Sequence, residues 1–431
     1  MKKIIKATAI LLCFMLMHIS PAFAQTGGRH NPLIDPQPIS SYVTLDRNIK
    51  SILLLGIDKS DASAARGNDY HTDAILVAAV NFDEKKIDLV SLPRDTLTYV
   101  PGVKGIYKLN AAINCGGGKT EQGFQKVCEA AAWVLGGIRI DYYCAVDMEA
   151  MAAIGDAIGG VDFELEMSYT GDYGKYHKGL QHLNGKGILD YLRARRNATE
   201  NANDIGRTSR QRDLIMAIIK KVMNDKSHLT SVISAMQHLE NGFFTNMSIG
   251  EMVTFLPLAM QVDFDAIGSH VITGKYRSAL YGWNFTFTDQ DHRREVIRTV
   301  YGVEVPELKY VSYAYTKWLV KDGFAVVRYL SVAKLMRDSI GGHGEASMSA
   351  EQKEALAAFD SVYAQTAEAF DTAADSMSQS DTKRMAGAAK ELRKQGDALV
   401  GLFKDAEKPV WGTGQYWYAD RMINEIDVNF R

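Results

Sequence analysis

The apolar run SILLLGI at Ser51–Ile57 and the stretch DAILVAAVNFDEKKIDLVSL at Asp73–Leu92 decide the fold. The first run predicts a buried strand, because it is continuously apolar and a polar loop follows it. In the second stretch, two apolar runs flank the polar segment 81–86, which predicts a hairpin with a polar turn. Three strands are therefore expected before residue 93.

Helix and strand patterns alternate from here to about residue 225. Glu121–Leu135 and Ser209–Met223 carry apolar residues in helical register, and a third helix at Met148–Ile158 ends at a glycine pair. Strand patterns at Asp141–Val146 and Val161–Glu166 complete the alternation. Strands between helices predict a layered α/β domain with a mixed sheet.

The C-terminal part of the chain is predicted to be mainly helical, beginning with residues 307–340. Ser349 and Gln352 form a capping-box pattern ahead of two one-sided apolar stripes, which predicts a helical hairpin at about 349–405. The aromatic segment 411–418 fits either internal packing or a surface that contacts glycan.

The N-terminus has the parts of an export signal. Lys2, Lys3 and Lys6 precede the apolar run Ile10–Ile19 and the cleavage pattern Ala22–Ala24. The apolar run is short for a spanning helix, which needs about 20 residues, although an uncleaved anchor is the alternative. We therefore expect an exported protein, either secreted or held at the outer face of the cytoplasmic membrane.

Composition limits the domains and the partners. The chain has 431 residues, with 49 basic and 51 acidic side chains and a net charge of −2, or about −5 without the three signal lysines. Overall charge therefore does not hold it to nucleic acid, which disfavours transcriptional regulation. We expect a signal peptide at 1–24, a linker at 25–47, a catalytic domain at 48–275 and a mainly helical extension at 276–431.

Three cysteines lie beyond the signal, and their odd number permits at most one internal disulfide. Cys115 and Cys128 flank a predicted turn and helix start, so a bridge between them remains open, as does the alternative of unpaired thiols that include Cys144. The spacing does not suggest a zinc site.

Two aspartates at strand ends form a candidate metal site. Asp58 directly follows the first strand, and Asp73 begins the next one after the polar loop 59–70. Strand ends are the usual place for functional groups in α/β sheets. Two carboxylates suit Mg²⁺ or Mn²⁺, which keeps waters and substrate phosphates as its other ligands. The alternative is that both aspartates simply cap loops.

Arginines are concentrated between residues 193 and 212. The segment contains only two acidic residues, Glu200 and Asp204. Its six arginines are Arg193, Arg195, Arg196, Arg207, Arg210 and Arg212. Guanidinium forks match phosphate oxygens in two-point contacts. Arg193 and Arg195 would share one face of a strand, and Arg207 and Gln211 one face of a helix start. The alternative is a solvated basic surface.

One more arginine follows the strand that ends at Leu92, within Pro93-Arg94-Asp95-Thr96. Arg94 could contact the same anion, and Asp95 could pair with an arginine, although an ordinary turn would also explain the motif. A divalent metal and several arginines around a phosphorylated group supply the positioning and charge neutralisation that phosphoryl transfer needs.

The chain resembles the LytR-CpsA-Psr family of cell-wall glycopolymer ligases, densely from residue 50 to about 225 and weakly through Trp283–Pro306. The resemblance rests on eight runs in the family's order: SILLLGID, HTDAILVA, SLPRDT, KLNAAINCGG, IDYYCAVD, DAIGGVDFEL, GLQHLNGKGILDYLRAR and DIGRTSRQ. It implies an α/β/α sandwich with an apolar groove for a polyprenyl tail. It also implies transfer of teichoic acid, capsule or a similar glycopolymer from a polyprenyl-pyrophosphate carrier to a muramic-acid hydroxyl of peptidoglycan, through a phosphodiester bond.

The resemblance assigns site residues by position. Asp58 and Asp73 match the family's Mg²⁺-associated aspartates. The pyrophosphate-binding positions match Arg94, Arg193, Arg195, Arg207 and Gln211.

His71 departs from the family pattern, in which an arginine usually stands at this position. It could donate to a phosphate when protonated, act as the base on the acceptor hydroxyl, or be a neutral hydrogen-bonding substitute. We take Arg94, Asp73 and His71 as the catalytic candidates. Hydrolysis of the pyrophosphate, or binding of polyprenyl-phosphate lipid without catalysis, are the competing functions, and His71 slightly favours the second of these.

Overall fold

The computed structural model describes residues 37–58, 70–194, 213–222, 242–259, 266–278, 284–341 and 347–403, with a few single positions between 225 and 262. Its strands are β1 (Ile49–Asp58), β2 (His71–Asn81), β3 (Lys86–Ser91), β4 (Leu97–Val100), β5 (Val103–Lys108), β6 (Tyr142–Asp147), β7 (Val161–Leu165), β8 (Tyr169–Thr170), β9 (Lys175–Tyr176), β10 (Gly179–Leu183), β11 (Phe243–Thr245), β12 (Gly268–Val271), β13 (Gly274–Ser278) and β14 (Asn284–Thr288). Its α-helices are α1 (Glu121–Val134), α2 (Met148–Ala157), α3 (Gly185–Arg193), α4 (Ile249–Ala259), α5 (Gln290–Tyr301), α6 (Tyr313–Trp318), α7 (Phe324–Gly341), α8 (Ala350–Ser376) and α9 (Gln379–Gly401). Residues 213–222 are also helical.

A six-stranded central sheet runs in the order β11-β6-β1-β2-β3-β12. The pairs β1–β2 and β2–β3 are antiparallel, whereas β1–β6 and β3–β12 are parallel. The predicted hairpin is β2–β3, and its turn ends at Lys85, whose φ of 54° is left-handed. The prediction of an α/β fold with a mixed sheet is therefore confirmed.

Helices cover both faces of this sheet. On one face, Leu53 and Leu55 of β1 pack in a core with Phe124 of α1 and Ile297 of α5. On the other face, Leu76 of β2 lies in a cluster that includes side chains of the helical segment 213–222. Helix α4 contributes to a further cluster beside β2 on the sheet. The helices therefore enclose the sheet as an α/β/α sandwich, as the family resemblance implied.

Polar caps begin the two helices that flank β6. The Thr120 side chain accepts a hydrogen bond from the backbone N–H of Gly123 at the start of α1, and the Asp147 side chain accepts one from Ala150 at the start of α2. Such caps satisfy backbone donors that have no partner within the helix. Both helices were predicted from the sequence, with ends within one residue of those observed.

The helices that follow the sandwich form a second large core. Ser349 and Gln352 make the predicted capping box at the start of α8. Apolar side chains of α7, α8 and α9 pack together in the interior, including Leu330, Phe370 and Leu392. None of the helices in the described residues combines the length and the apolarity needed to cross a membrane.

This second core extends onto the sandwich through the β4–β5 hairpin. Leu97, Tyr99 and Ile106 of the hairpin are buried in the same cluster as Trp318 and Phe370. The extension therefore packs directly against the strand that follows Arg94. The limits proposed for the catalytic domain remain predictions, and residue 275 itself lies within β13.

Candidate active site at the strand ends

An irregularity in the β1–β2 pairing sets the position of Asp73. Asp58 pairs with His71 and Ile57 with Thr72, but Gly56 pairs with Ala74, so Asp73 has no opposite residue on β1. An extra residue of this kind forms a bulge, which bends the strand and redirects a side chain. The bulge therefore gives the Asp73 side chain a direction that differs from the regular alternation along β2.

Arg94 reaches this bulged aspartate from the end of β3. Its Nη1 lies 2.7 Å from Asp73 Oδ1, and both side chains are mostly buried. The backbone turns directly after Pro93, whose carbonyl accepts a hydrogen bond from Thr96 N–H. Two predicted site residues, 21 positions apart, thus meet at one edge of the sheet.

Asp95 and Lys108 extend this contact into an alternating row of charges. Asp95 Oδ1 lies 2.7 Å from Lys108 Nζ, and its other oxygen lies 3.7 Å from Arg94 Nε. The Asp95 side chain is only 5% exposed. Burial removes most of the hydration of this carboxylate and its two cationic neighbours offset that cost, so Asp95 ties Arg94 and Lys108 together.

The loop before α1 holds the start of β2 from the other side. The Asn114 side chain accepts from Tyr70 N–H at 3.0 Å and donates to the Tyr70 carbonyl at 2.8 Å. A Cβ on Gly118 would lie 2.5 Å from the Tyr70 ring, and the φ of 83° at Gly118 also favours glycine. These contacts fix the backbone directly ahead of His71.

Sequence reasoning did not single out Lys108 and Asn114 as site-forming residues. Both lie in the run KLNAAINCGG, which contributed only to the family resemblance. Asparagine and cysteine followed by three glycines were the available signal, because such runs form turns that accept close backbone packing. The pairing of Lys108 with Asp95 depends on the β4–β5 hairpin, which was not predicted.

The arginine-rich segment is described only at its first member. Arg193 is exposed and is the last residue of α3, so the expectation that it lies on a strand is wrong. Asn184 caps this helix, and Ile188, Leu189 and Leu192 are buried on it. A cap followed by helical spacing of apolar residues outweighs the two-residue spacing of the arginines. Arg195, Arg196, Arg207, Arg210, Gln211 and Arg212 lie outside the described residues.

Asp190 anchors a small hairpin beside the same helix. Its buried carboxylate accepts hydrogen bonds from the backbone N–H groups of Asp172 and Tyr173 and from the Tyr176 hydroxyl. Burial, together with the neighbouring Asp190 charge, raises the pKa of Tyr176 to about 12, so this hydroxyl stays protonated as a donor. The hairpin β8–β9 is therefore fixed to the helix that ends at Arg193.

The donor chemistry of the strand ends suits a hard divalent cation. Asp73 provides a carboxylate that contacts the Arg94 guanidinium at the edge of the sheet. Strand β1 ends at Asp58, which pairs with His71. Among the residues the structure describes, no cluster of three or more acidic, histidine or cysteine side chains forms a metal cage. The Asp73 carboxylate fits an ion that takes one or two protein carboxylates and completes its shell with water and phosphate, as Mg²⁺ does. The side chain of Asp58 lies outside the described part of the chain.

The three cysteines that the structure describes do not form a disulfide. Cys115, Cys128 and Cys144 are all free thiols, which removes the option of a bridge between the first two. Burial, with a smaller contribution from Glu129, raises the pKa of Cys128 to about 12. This thiol therefore remains protonated and serves as a core side chain of α1.

The sequence and the fold both resemble known proteins. A profile of the LytR_cpsA_psr family matches residues 22–300, about two thirds of the chain. A polyisoprenyl-teichoic acid–peptidoglycan teichoic acid transferase, TagU of Bacillus licheniformis, is 32% identical over 203 residues, which are 47% of this chain and 61% of that protein. TagU of Bacillus subtilis is 30% identical over 202 residues, with the same two shares. The chain thus matches about three fifths of the length of these relatives.

A solved structure shares the fold. The protein gbs0355 from Streptococcus agalactiae aligns with a TM-score of 0.51 and 22% identity, over 62% of this chain and 92% of that one. At this identity the likeness concerns the backbone arrangement alone. Residues 22–300, which match the family profile, contain every strand of the central sheet and the contact between Arg94 and Asp73.

Proposed function

Because the chain belongs to the LytR-CpsA-Psr family, we propose that it is an exported phosphotransferase of the bacterial cell wall. It joins a glycopolymer, carried on polyprenyl pyrophosphate, to peptidoglycan through a phosphodiester bond. The relatives named as transferring teichoic acid to peptidoglycan support this reading, as does the export pattern of residues 1–24. The glycopolymer can be teichoic acid, capsule or a similar polymer.

The observation that carries the proposal is the contact between Arg94 and Asp73 at the ends of two neighbouring strands. Arg94 presents a fixed guanidinium fork, which suits the oxygens of a diphosphate. Asp73 contacts Nη1 of this fork at 2.7 Å, and an Asp95 oxygen lies 3.7 Å from its Nε. Arg193, Arg195, Arg207 and Gln211 are proposed to complete the pyrophosphate site.

The reaction replaces one phosphorus–oxygen bond by another. The acceptor hydroxyl forms a bond to the phosphorus that carries the glycan, the bond to the polyprenyl phosphate breaks, and polyprenyl phosphate leaves with the bonding electrons. The hydroxyl proton passes to a base, and His71, which begins β2 two positions before Asp73, is proposed to donate to the transferred phosphate when protonated. Arg94 neutralises negative charge on the transferred group.

Mg²⁺ or Mn²⁺ is the proposed cofactor, held by Asp58 and Asp73. When bound, it neutralises phosphate charge and polarises phosphoryl oxygens. Waters and phosphate oxygens would complete its coordination.

A coupling assay tests the proposed function. Purified protein, Mg²⁺ and a lipid-pyrophosphate glycan are incubated with and without soluble peptidoglycan fragments. Glycan that becomes attached to the fragments, with polyprenyl phosphate released only when fragments are present, supports transfer. Phosphate-ester cleavage that is independent of fragments would instead identify a hydrolase. Lipid that co-purifies without either product would identify a lipid-binding protein.

A further inference from the structure

An exposed surface of cations and aromatic rings lies where the sandwich meets the helical extension. We call Lys275, Arg277, Tyr313 and Lys317 the tyrosine surface. Lys275 and Arg277 are exposed on β13, and Lys317 is exposed on α6 one turn after Tyr313, which is 39% exposed. Arg277 Cζ lies 5.4 Å from the centre of the Tyr313 ring.

The Tyr313 ring is fixed in position. Phe287 of β14 meets it edge to face, with the ring centres 5.2 Å apart and the planes at 86°. Arg277 lies over the ring as a cation–π contact. A tyrosine held by two neighbours loses little conformational freedom on binding, so an exposed ring of this kind is suited to contact a ligand.

No carboxylate among the described residues forms an ion pair with Lys275, Arg277 or Lys317. The nearby Lys309, by contrast, pairs with Asp375. Three positive charges around one ring, with no ion pair to a described carboxylate, favour an anionic ligand.

Short contacts connect the tyrosine surface to the charge row of the candidate site. Arg277 pairs with Phe285 across β13–β14, and the Phe285 ring lies 5.7 Å from Lys108 Nζ. Thr286 N–H donates to the Asp95 carbonyl at 2.8 Å. Neighbouring strands are about 4.8 Å apart, so β13 is about 10 Å from the segment that carries Arg94 and Asp95. A saccharide of two or three rings could span that distance.

We propose that the tyrosine surface binds the acceptor, a carboxylate-bearing strand of peptidoglycan, and this inference rests on the proposed function. The Arg277 fork matches a carboxylate of the stem peptides, and Lys275 and Lys317 add positive charge beside it. The exposed face of Tyr313 offers an apolar plane for the hydrogen-bearing face of a sugar ring. Peptidoglycan carries such carboxylates whichever glycopolymer is attached, so a fixed set of cations fits the acceptor.

Binding of a soluble disaccharide-tetrapeptide to the full-length protein tests the proposal, with the dissociation constant measured by calorimetry or NMR titration. Arg277→Gln should weaken binding about tenfold, because one charge-assisted contact is lost. A fragment whose carboxylates are amidated should bind the wild-type protein about as weakly as the unmodified fragment binds Arg277→Gln. The Arg277→Gln substitution should not weaken the binding of this amidated fragment further. Lys390→Gln, which removes an exposed cation from α9, is the matched control and should leave binding unchanged.

Several results would overturn this assignment. Equal fragment affinity for wild type and Arg277→Gln would do so, as would a loss confined to the binding of the lipid-linked donor. If Arg277→Gln still catalyses transfer in the coupling assay with an unchanged KM for the acceptor, the tyrosine surface does not bind the acceptor. The proposed transferase function is retained in that case. Arg277-dependent binding without any transfer product supports the surface while refuting the transferase.

Discussion

The strand-end edge and the helical hairpin α8–α9 are both well packed, but they are held together differently. At the edge, buried charges depend on partners elsewhere in the chain, as in Arg94 with Asp73 and Asp95 with Lys108. In the hairpin, apolar side chains fill the interior, and the buried Thr366 hydroxyl bonds to carbonyls of its own helix and of α9. Substitutions in the hairpin should therefore change mainly stability, whereas substitutions at the edge should change activity in a partner-dependent way.

The largest stability effect is expected from Phe370→Ala in the hairpin. Phe370 is fully buried, and its ring lies 5.7 Å from that of Trp318. Removing a buried phenylalanine costs about 3–5 kcal/mol, since both apolar burial and packing are lost. Urea unfolding measures the loss. Phe370→Leu should cost less than about 1.5 kcal/mol. If both substitutions cost under 1 kcal/mol, the extension is not packed as described.

Asp95→Asn tests the charge row at the edge. Lys108 and Arg94 would lose a buried carboxylate, which should lower the free energy of unfolding by about 3 kcal/mol. Adding Lys108→Gln removes the cation on the other side of the 2.7 Å pair, so the double variant should lose less than the sum of the single losses. Additive losses in urea unfolding would show that the 2.7 Å pair contributes no coupling.

Arg94→Ala should lower transfer activity at least about tenfold, on the scale of removing a group that stabilises developing charge. Arg195→Ala is expected to behave alike if it contributes to the same pyrophosphate site. Arg94→Lys keeps the charge but loses the fork, so its activity should fall between wild type and Arg94→Ala. Transfer rates are measured at saturating acceptor with the unfolding free energy determined in parallel. Near-wild-type rates in both alanine variants would remove these arginines from the mechanism.

The same contrast explains what could be predicted from the sequence. Local patterns sufficed for β1, the β2–β3 hairpin, α1 and the capping box of α8, because apolar periodicity and caps act over a few residues. Arg193 was misplaced because spacing between arginines does not reveal the helix that ends there. The Asp95–Lys108 pair and the Thr286 contact were missed because they depend on how β4, β5 and β14 come together. Such long-range pairings leave little trace in a single sequence.

His71→Arg should have the smallest effect, and it is confined to pH dependence. Histidine changes charge near neutral pH, whereas arginine remains protonated. His71 lies at the start of β2, opposite the end of β1, where a change of charge would act on a bound phosphate. If protonated His71 donates to phosphate, wild-type activity should fall between pH 6 and 8, and the arginine variant should hold its activity over that range. If His71 is instead the base, the variant should lose activity at every pH. Initial rates at constant ionic strength distinguish the two, and identical profiles for both proteins would show that titration of His71 has no part in the reaction.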